Sequence, residues 1–456
     1  MTTSSSKNRF QDLSSEGRVE NDVFEDDPDH EIRYKTLSWQ LVSALMIAEI
    51  VSNGMLTLPN AMAAVGIVPS LVLTIFLGVF ALHTAKLLID FKLNHPEVHN
   101  MGDAGMIIFG PLGREVLSAG TIIFAIFGTG SELLSGQQAL STLSNNGLCA
   151  TVLLAIFAIA TFVLSLPRTL GRLSWLGLFS ALLIAICGLL AMVGAGANPV
   201  RDRVIVASVP TNFYQAFLAI TGPVFAYAGG TGDDRFFILI SEMRRPQDAM
   251  KAAWLLQGFA TTFYAVFSVV VYVYIGNGVL SPALFSLPPV WSKLTFGIGL
   301  VNFLIAGALY SHTAAKLVFV RFFRHSRHIY THTALGWTVW TALCFAATAA
   351  AFVLASAVPI FSYLTGITAS LFAAWYTYGL AGFFWLHDTY HQAEPQYTGG
   401  VGGSGIAALR KRPVGTVSAV STVLAGAFIC VAGTYVSVKL IVQAYEEGIV
   451  GKPFTC

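Results

Sequence analysis

Charged residues are scarce in this chain. They make up 11% of its 456 residues, against about 25% in soluble domains, while 55% are apolar and the mean hydropathy is +0.67. So little charge excludes a protein that covers itself with a solvated surface. It points to one that crosses a bilayer many times, with lipid as its first partner. The net charge is only +2 and no basic tract interleaved with aromatics occurs, which excludes nucleic acid as a partner. There is no Asn-X-Ser/Thr sequon and no Cys/His spacing of the metal-binding kind, so no metal or other cofactor is expected. No cluster of His or Asp ligands marks one membrane face, which argues against an enzyme. Cysteines number five. Four of them, Cys149, Cys187, Cys344 and Cys430, lie in apolar runs and read as packing residues rather than disulfide partners. A cleavable leader is also missing. Residues 1–36 carry nine acidic and five basic side chains and read as a disordered cytosolic tail.

What the chain has instead is long apolar runs. A span needs about 20 mostly apolar residues, and eleven candidates appear: 38–66, 67–91, 116–142, 148–166, 173–195, 212–241, 253–277, 293–320, 333–355, 358–386 and 415–444. They fill a transporter-like domain over 37–445, followed by a short tail, 446–456. Lys and Arg number thirteen in one alternating set of loops and three in the other. The rich set faces the cytosol, so the N-terminus lies inside and the C-terminus outside.

Span 1 interrupts itself. Residues 49–59 read E-I-V-S-N-G-M-L-T-L-P inside an otherwise hydrocarbon run. Gly54 is able to take the left-handed conformation that ends a helix, and Pro59 removes a helical N–H. Span 6 does the same at T-G-P-V-F-A-Y-A-G-G-T-G, residues 221–232, where Gly229 falls 175 positions after Gly54. Unpaired backbone groups persist in hydrocarbon only where they face a cavity or a ligand. Matching breaks in two halves are the mark of inverted-repeat transporters. The expected fold is therefore all-α, with one five-span repeat over about 38–195, a second over about 212–386, and an extra helix at 415–444. The half-helix starting near Met55 points free N–H groups inward, as a carboxylate needs. Carbonyls around Ser52, Asn53, Phe225, Ala226 and Tyr227 suit an ammonium. The two together describe an α-amino acid, with Gly54 between them.

The motif M-I-A-E-I-V-S-N-G-M-L-T-L-P-N-A (46–61), with F-A-Y-A-G (225–229) and F-I-L-I-S-E-M (237–243), resembles the amino acid/auxin permease family, nearest to its fungal neutral amino acid permeases. The likeness runs over nearly all of 37–445. It implies a leucine-transporter-type fold, neutral L-amino acids as substrate and proton-driven uptake, most naturally at the plasma membrane with the vacuole as the other location. Where family members look like A-Y-A-G-H, this chain continues G-T-G-D-D-R, which places Asp233, Asp234 and Arg235 near mid-membrane. Asp233 is well placed to cap the second half-helix.

Glu49 lies one turn before Asn53, and an intramembrane carboxylate is a functional candidate by default. It is read as the proton carrier, against a structural hydrogen bond. Ser131, beside Glu132 in span 3, is a further candidate for the substrate. In the resembled fold, hydroxyls of spans 1 and 8 hold sodium where it is used. Ser311 and Thr313 are the candidates for that role, so proton and sodium coupling both stay open. The rival to a transporter is a sensor that binds an amino acid with little flux.

Overall fold

The computed structural model describes residues 35–168, 170–228, 234–323, 326–329, 331–391 and 405–448. The side chains of Glu49, of residues 170–174 and of residues 234–235 fall outside that description. Helices stand at every place where a span is expected. Among the described residues seven are long and apolar enough to cross a membrane alone, and the two bent halves of span 1 make an eighth. Span 4 (Ala150–Ser165) and the first half of span 6 (Phe213–Ala226) are shorter apolar helices. Span 10 runs through three joined pieces, Phe361–Thr368, Ala369–Gly379 and Leu380–His391, of which the middle one is π-helical.

The remaining spans are span 2 (Ile67–Asn94), span 3 (Met101–Leu143), span 5 (Leu170–Ala197), span 7 (Ala249–Ile275), span 8 (Pro289–Phe323), span 9 (Ala334–Ala357) and span 11 (Pro413–Glu446). Their starts follow local chemistry. Asn100, Asn212 and Thr333 each accept a hydrogen bond from the backbone N–H three residues on, which satisfies an orphan donor of the first turn. Span 3 begins fifteen residues earlier than its hydropathy suggests. The extra piece is a separate inner helix that breaks at Gly110, with φ at 70°, just before Pro111.

Span 8 is the centre of the molecule. In its most apolar stretch 67% of residues are buried, against 17% in span 11. It packs along spans 3 and 5, while span 11 lies against span 10 and the first half of span 6. That difference is what two five-span repeats plus one added helix require.

One expectation needs correction. Cys149 is disulfide-bonded, whereas Cys187, Cys344 and Cys430 are free thiols. Hydropathy placed Cys149 inside an apolar run, but it stands at the N-cap of span 4, at the end assigned to the outside, where an oxidising compartment permits the bond. Arg168, between spans 4 and 5, is buried. Its guanidinium donates to the His328 carbonyl at 2.7 Å and lies 4.9 Å from the Phe319 ring, joining two inner loops.

Candidate functional site

Span 1 stops at Ile50 and resumes as a tight turn over Asn53–Thr57 that feeds the helix Leu58–Val65, with Pro59 in its first turn. The two halves are bent by 41°. Pro59 suits the start of a helix because its missing N–H has no partner there. Span 6 ends its first half at Ala226 and resumes at Asp234. Residues 229–233, with the three glycines and the cap expected at Asp233, lie outside the described residues.

The breaks meet back to back. A Cβ on Gly54 would stand 2.8 Å from the Cα of Ala226, and one on Gly222 would stand 2.8 Å from the Thr57 hydroxyl. Gly54 is not among the glycines with positive φ. Its role is therefore close approach of two backbones rather than the left-handed turn that the sequence suggests.

Most backbone groups freed at the breaks find side-chain donors. The Tyr264 hydroxyl of span 7 lies 2.7 Å from the Ile50 carbonyl and 2.9 Å from that of Ala226, so one group straps both breaks. Asn302 of span 8 donates to the Ala48 carbonyl at 3.2 Å and to Ser180 of span 5 at 2.9 Å. It also accepts from Ser52 at 2.6 Å. Thr377, in the π-helical stretch of span 10, donates to Ala228, and Thr57 donates to Gly54. Asn53 donates to Ser131 at 3.1 Å, which brings spans 1 and 3 together. These residues are all buried.

What is left over defines the site. Among the described residues no hydrogen bond takes up the N–H groups of Ser52, Asn53 or Gly54, and the Val51 carbonyl accepts none. Three free donors at the positive end of a half-helix, beside one free carbonyl, can hold a carboxylate and an ammonium. The carbonyls of Ala226 and Ile50 are already occupied, so the ammonium side is narrower than the sequence implied. Met55 and Phe225 are buried beside the break. The Tyr227 side chain turns away, its hydroxyl donating to the Thr74 carbonyl of span 2 at 3.0 Å.

The coupling candidates separate. Glu49 stands on the last turn of the first half-helix, and its side chain lies outside the described residues. Ser311 bonds Thr348 of span 9, and Thr313 returns to the Leu309 carbonyl of its own helix. Among the described residues neither reaches span 1. Asn302 does, and the signal for it in the sequence is a polar residue in an apolar helix. Tyr264 gave a similar signal, because a buried hydroxyl in hydrocarbon must find an acceptor.

Removing the Tyr264 hydroxyl tests this strap. Tyr264→Phe leaves two buried carbonyls without that donor, at roughly 1–3 kcal/mol for each group orphaned. Solubilised protein is expected to melt at lower temperature, and uptake to fall about tenfold at unchanged surface level. An unchanged melting temperature would show that the strap carries no energy.

Beyond the breaks, at the end assigned to the cytosol, contacts between spans tie the helices together. Leu37 pairs with the end of span 6, donating to Glu242 at 3.0 Å and accepting from Arg244 at 2.9 Å. Glu242 forms an ion pair with Lys316 of span 8, and both are buried. Beside it a cavity of about 260 Å³ is lined by His99, Asp103, Arg114, Lys316 and Arg321 among others.

The comparisons with known proteins agree with this geometry. An N amino acid transport system protein of Neurospora crassa is 29% identical over 434 residues, covering 93% of this chain and 89% of that protein. A transmembrane transporter of Gibberella moniliformis is also 29% identical, over 95% and 90% of the two chains. Among solved structures, a Na+-coupled sialic acid symporter superposes with TM-score 0.58 at 11% identity, over 95% of this chain and 96% of its own. MhsT in complex with L-phenylalanine gives 0.56 at 14%, over 87% and 100%. At such identities these two establish the fold alone: the leucine-transporter type, with spans 1 and 6 discontinuous. Residues 35–396 match the transmembrane amino acid transporter protein family, and the chain belongs to that family.

Proposed function

We propose that this chain carries neutral L-amino acids inward across the membrane together with protons, by rocking about the broken spans 1 and 6. The observation that carries the substrate reading is the trio of free N–H groups at Ser52, Asn53 and Gly54 beside the free Val51 carbonyl. Together they fit the backbone of an α-amino acid. The relative from Neurospora crassa, an amino acid transport system protein, supports the same class. Uptake from the medium goes with a plasma-membrane location.

Proton coupling is favoured by how the helix ends are filled. A sodium ion needs several oxygens free to face it. Here the Ile50 and Ala226 carbonyls face the Tyr264 hydroxyl, and the Ala48 carbonyl faces the Asn302 amide. Donors built into the protein take the places a cation would use. Glu49 is then the proton carrier, by its position at mid-membrane one turn before the break.

Uptake of radiolabelled neutral amino acids by cells expressing the chain tests both parts. Uptake is expected to rise from outer pH 7.5 to pH 5, to survive replacement of sodium by choline, and to lose its acid rise in Glu49→Gln. Excess unlabelled lysine or glutamate is expected to compete poorly. Uptake that requires sodium, or ignores pH, contradicts the coupling; uptake that lysine or glutamate blocks contradicts the substrate class.

A further inference from the structure

Away from the breaks, at the inner ends of spans 2 and 10, two histidines and a carboxylate converge. His95 Nε2 lies 2.8 Å from Asp388 Oδ1, and His387 Nδ1 lies 3.6 Å from the same oxygen. One ligand atom from each of the three residues falls within 4.8 Å of the others. The 3.6 Å spacing is too long for a hydrogen bond, and His387 Nδ1 has no hydrogen-bond partner among the described residues. It is the right length for something else. Nitrogen and oxygen ligands about 2.0–2.2 Å from a tetrahedral ion stand about 3.3–3.5 Å from each other.

The surroundings hold these groups in place. Glu97 lies 3.3 Å from His95 Nδ1, on the far side of the ring, and Asn94 donates to Asp388 Oδ2 at 2.9 Å. A carboxylate behind a histidine and an amide behind a carboxylate are the supports that orient metal ligands. Lys92 donates to the carbonyls of Pro96 and Val98 and so fixes the loop that carries His95 and Glu97. The rings of Phe91 and Phe384 stack at 4.6 Å and press the two helices together beneath the cluster.

We propose that His95, His387 and Asp388 form a binding site for a divalent transition metal, zinc foremost, that ties span 2 to span 10 at their inner ends. Two imidazoles and one carboxylate suit zinc and its first-row neighbours. They do not suit magnesium or calcium, which take oxygen ligands. Three protein ligands leave the fourth position to water. Nothing in this site touches the substrate, so it stands or falls apart from the transport reading.

The test uses the purified full-length protein in detergent, stripped with a chelator and titrated with zinc chloride against a chromophoric competitor. One zinc per chain is expected, retained in millimolar magnesium. His95→Gln with His387→Gln is expected to weaken it at least a hundredfold, and Glu97→Gln about tenfold, in the range found for outer-shell partners. Asp388→Asn, which keeps the shape, serves if the double variant fails to elute as a folded protein. Fewer than about one zinc in five chains overturns the proposal. So does an affinity unchanged in a folded double variant, or in folded Asp388→Asn.

Discussion

Gly54→Ala is expected to reduce uptake to below a tenth of wild type while the protein still reaches the membrane. The added methyl would stand 2.8 Å from the Cα of Ala226, a distance real Cβ atoms do not adopt. The obstacle is backbone rather than the tip of a flexible side chain, so it has nowhere to swing. Overpacking of this kind costs about 1–3 kcal/mol, and here it forces apart the two breaks on which the free N–H groups depend. The comparison is Gly258→Ala in span 7, where a new methyl meets nothing within 4 Å. That change is expected to leave uptake intact and to favour the helix slightly. Radiolabelled uptake normalised to surface protein distinguishes them. Equal loss in both variants would mean that the close approach at Gly54 has no special role.

The second large effect is expected at the inner ion pair. Glu242→Gln leaves the Lys316 ammonium buried beside a neutral amide, with both side chains no more than 5% exposed. Breaking a buried pair by removing one charge costs about 3–5 kcal/mol, whereas replacing both charges with neutral groups of similar volume is often neutral. Glu242→Gln is therefore expected to lower the melting temperature of the solubilised protein sharply. Glu242→Gln combined with Lys316→Met is expected to recover most of the loss. A double variant no better than the single one would assign the damage to packing rather than to the broken ion pair.

Both predictions turn on contacts between residues far apart in the chain, and this is where sequence reading and structure part. The spans and the two breaks were legible because their causes are local: apolar runs, Gly, Pro and N-caps. The pairing of Asn53 with Ser131 was not, since the sequence offered Ser131 only as a candidate for the substrate. The partners of freed carbonyls were not either. Asn302 lies 250 residues from Ser52, and Tyr264 lies 214 from Ile50. Only the fold decides that these meet, when other polar residues in the same helices, such as Ser311 and Thr313, turn elsewhere. Gly54 shows a different limit. The residue was identified, but its reason was not, because conformational freedom and close approach leave the same letter in the sequence. Cys149 failed because hydropathy does not distinguish a residue within a run from one at its cap.

The most direct test of the transport account is uptake by the purified protein in sealed liposomes. With an acid outer solution, a neutral interior and no sodium on either side, labelled neutral amino acid is expected to accumulate above its outer concentration, and a protonophore is expected to abolish the accumulation. Accumulation that appears only with an inward sodium gradient, and persists with the protonophore, would contradict proton coupling through the broken spans.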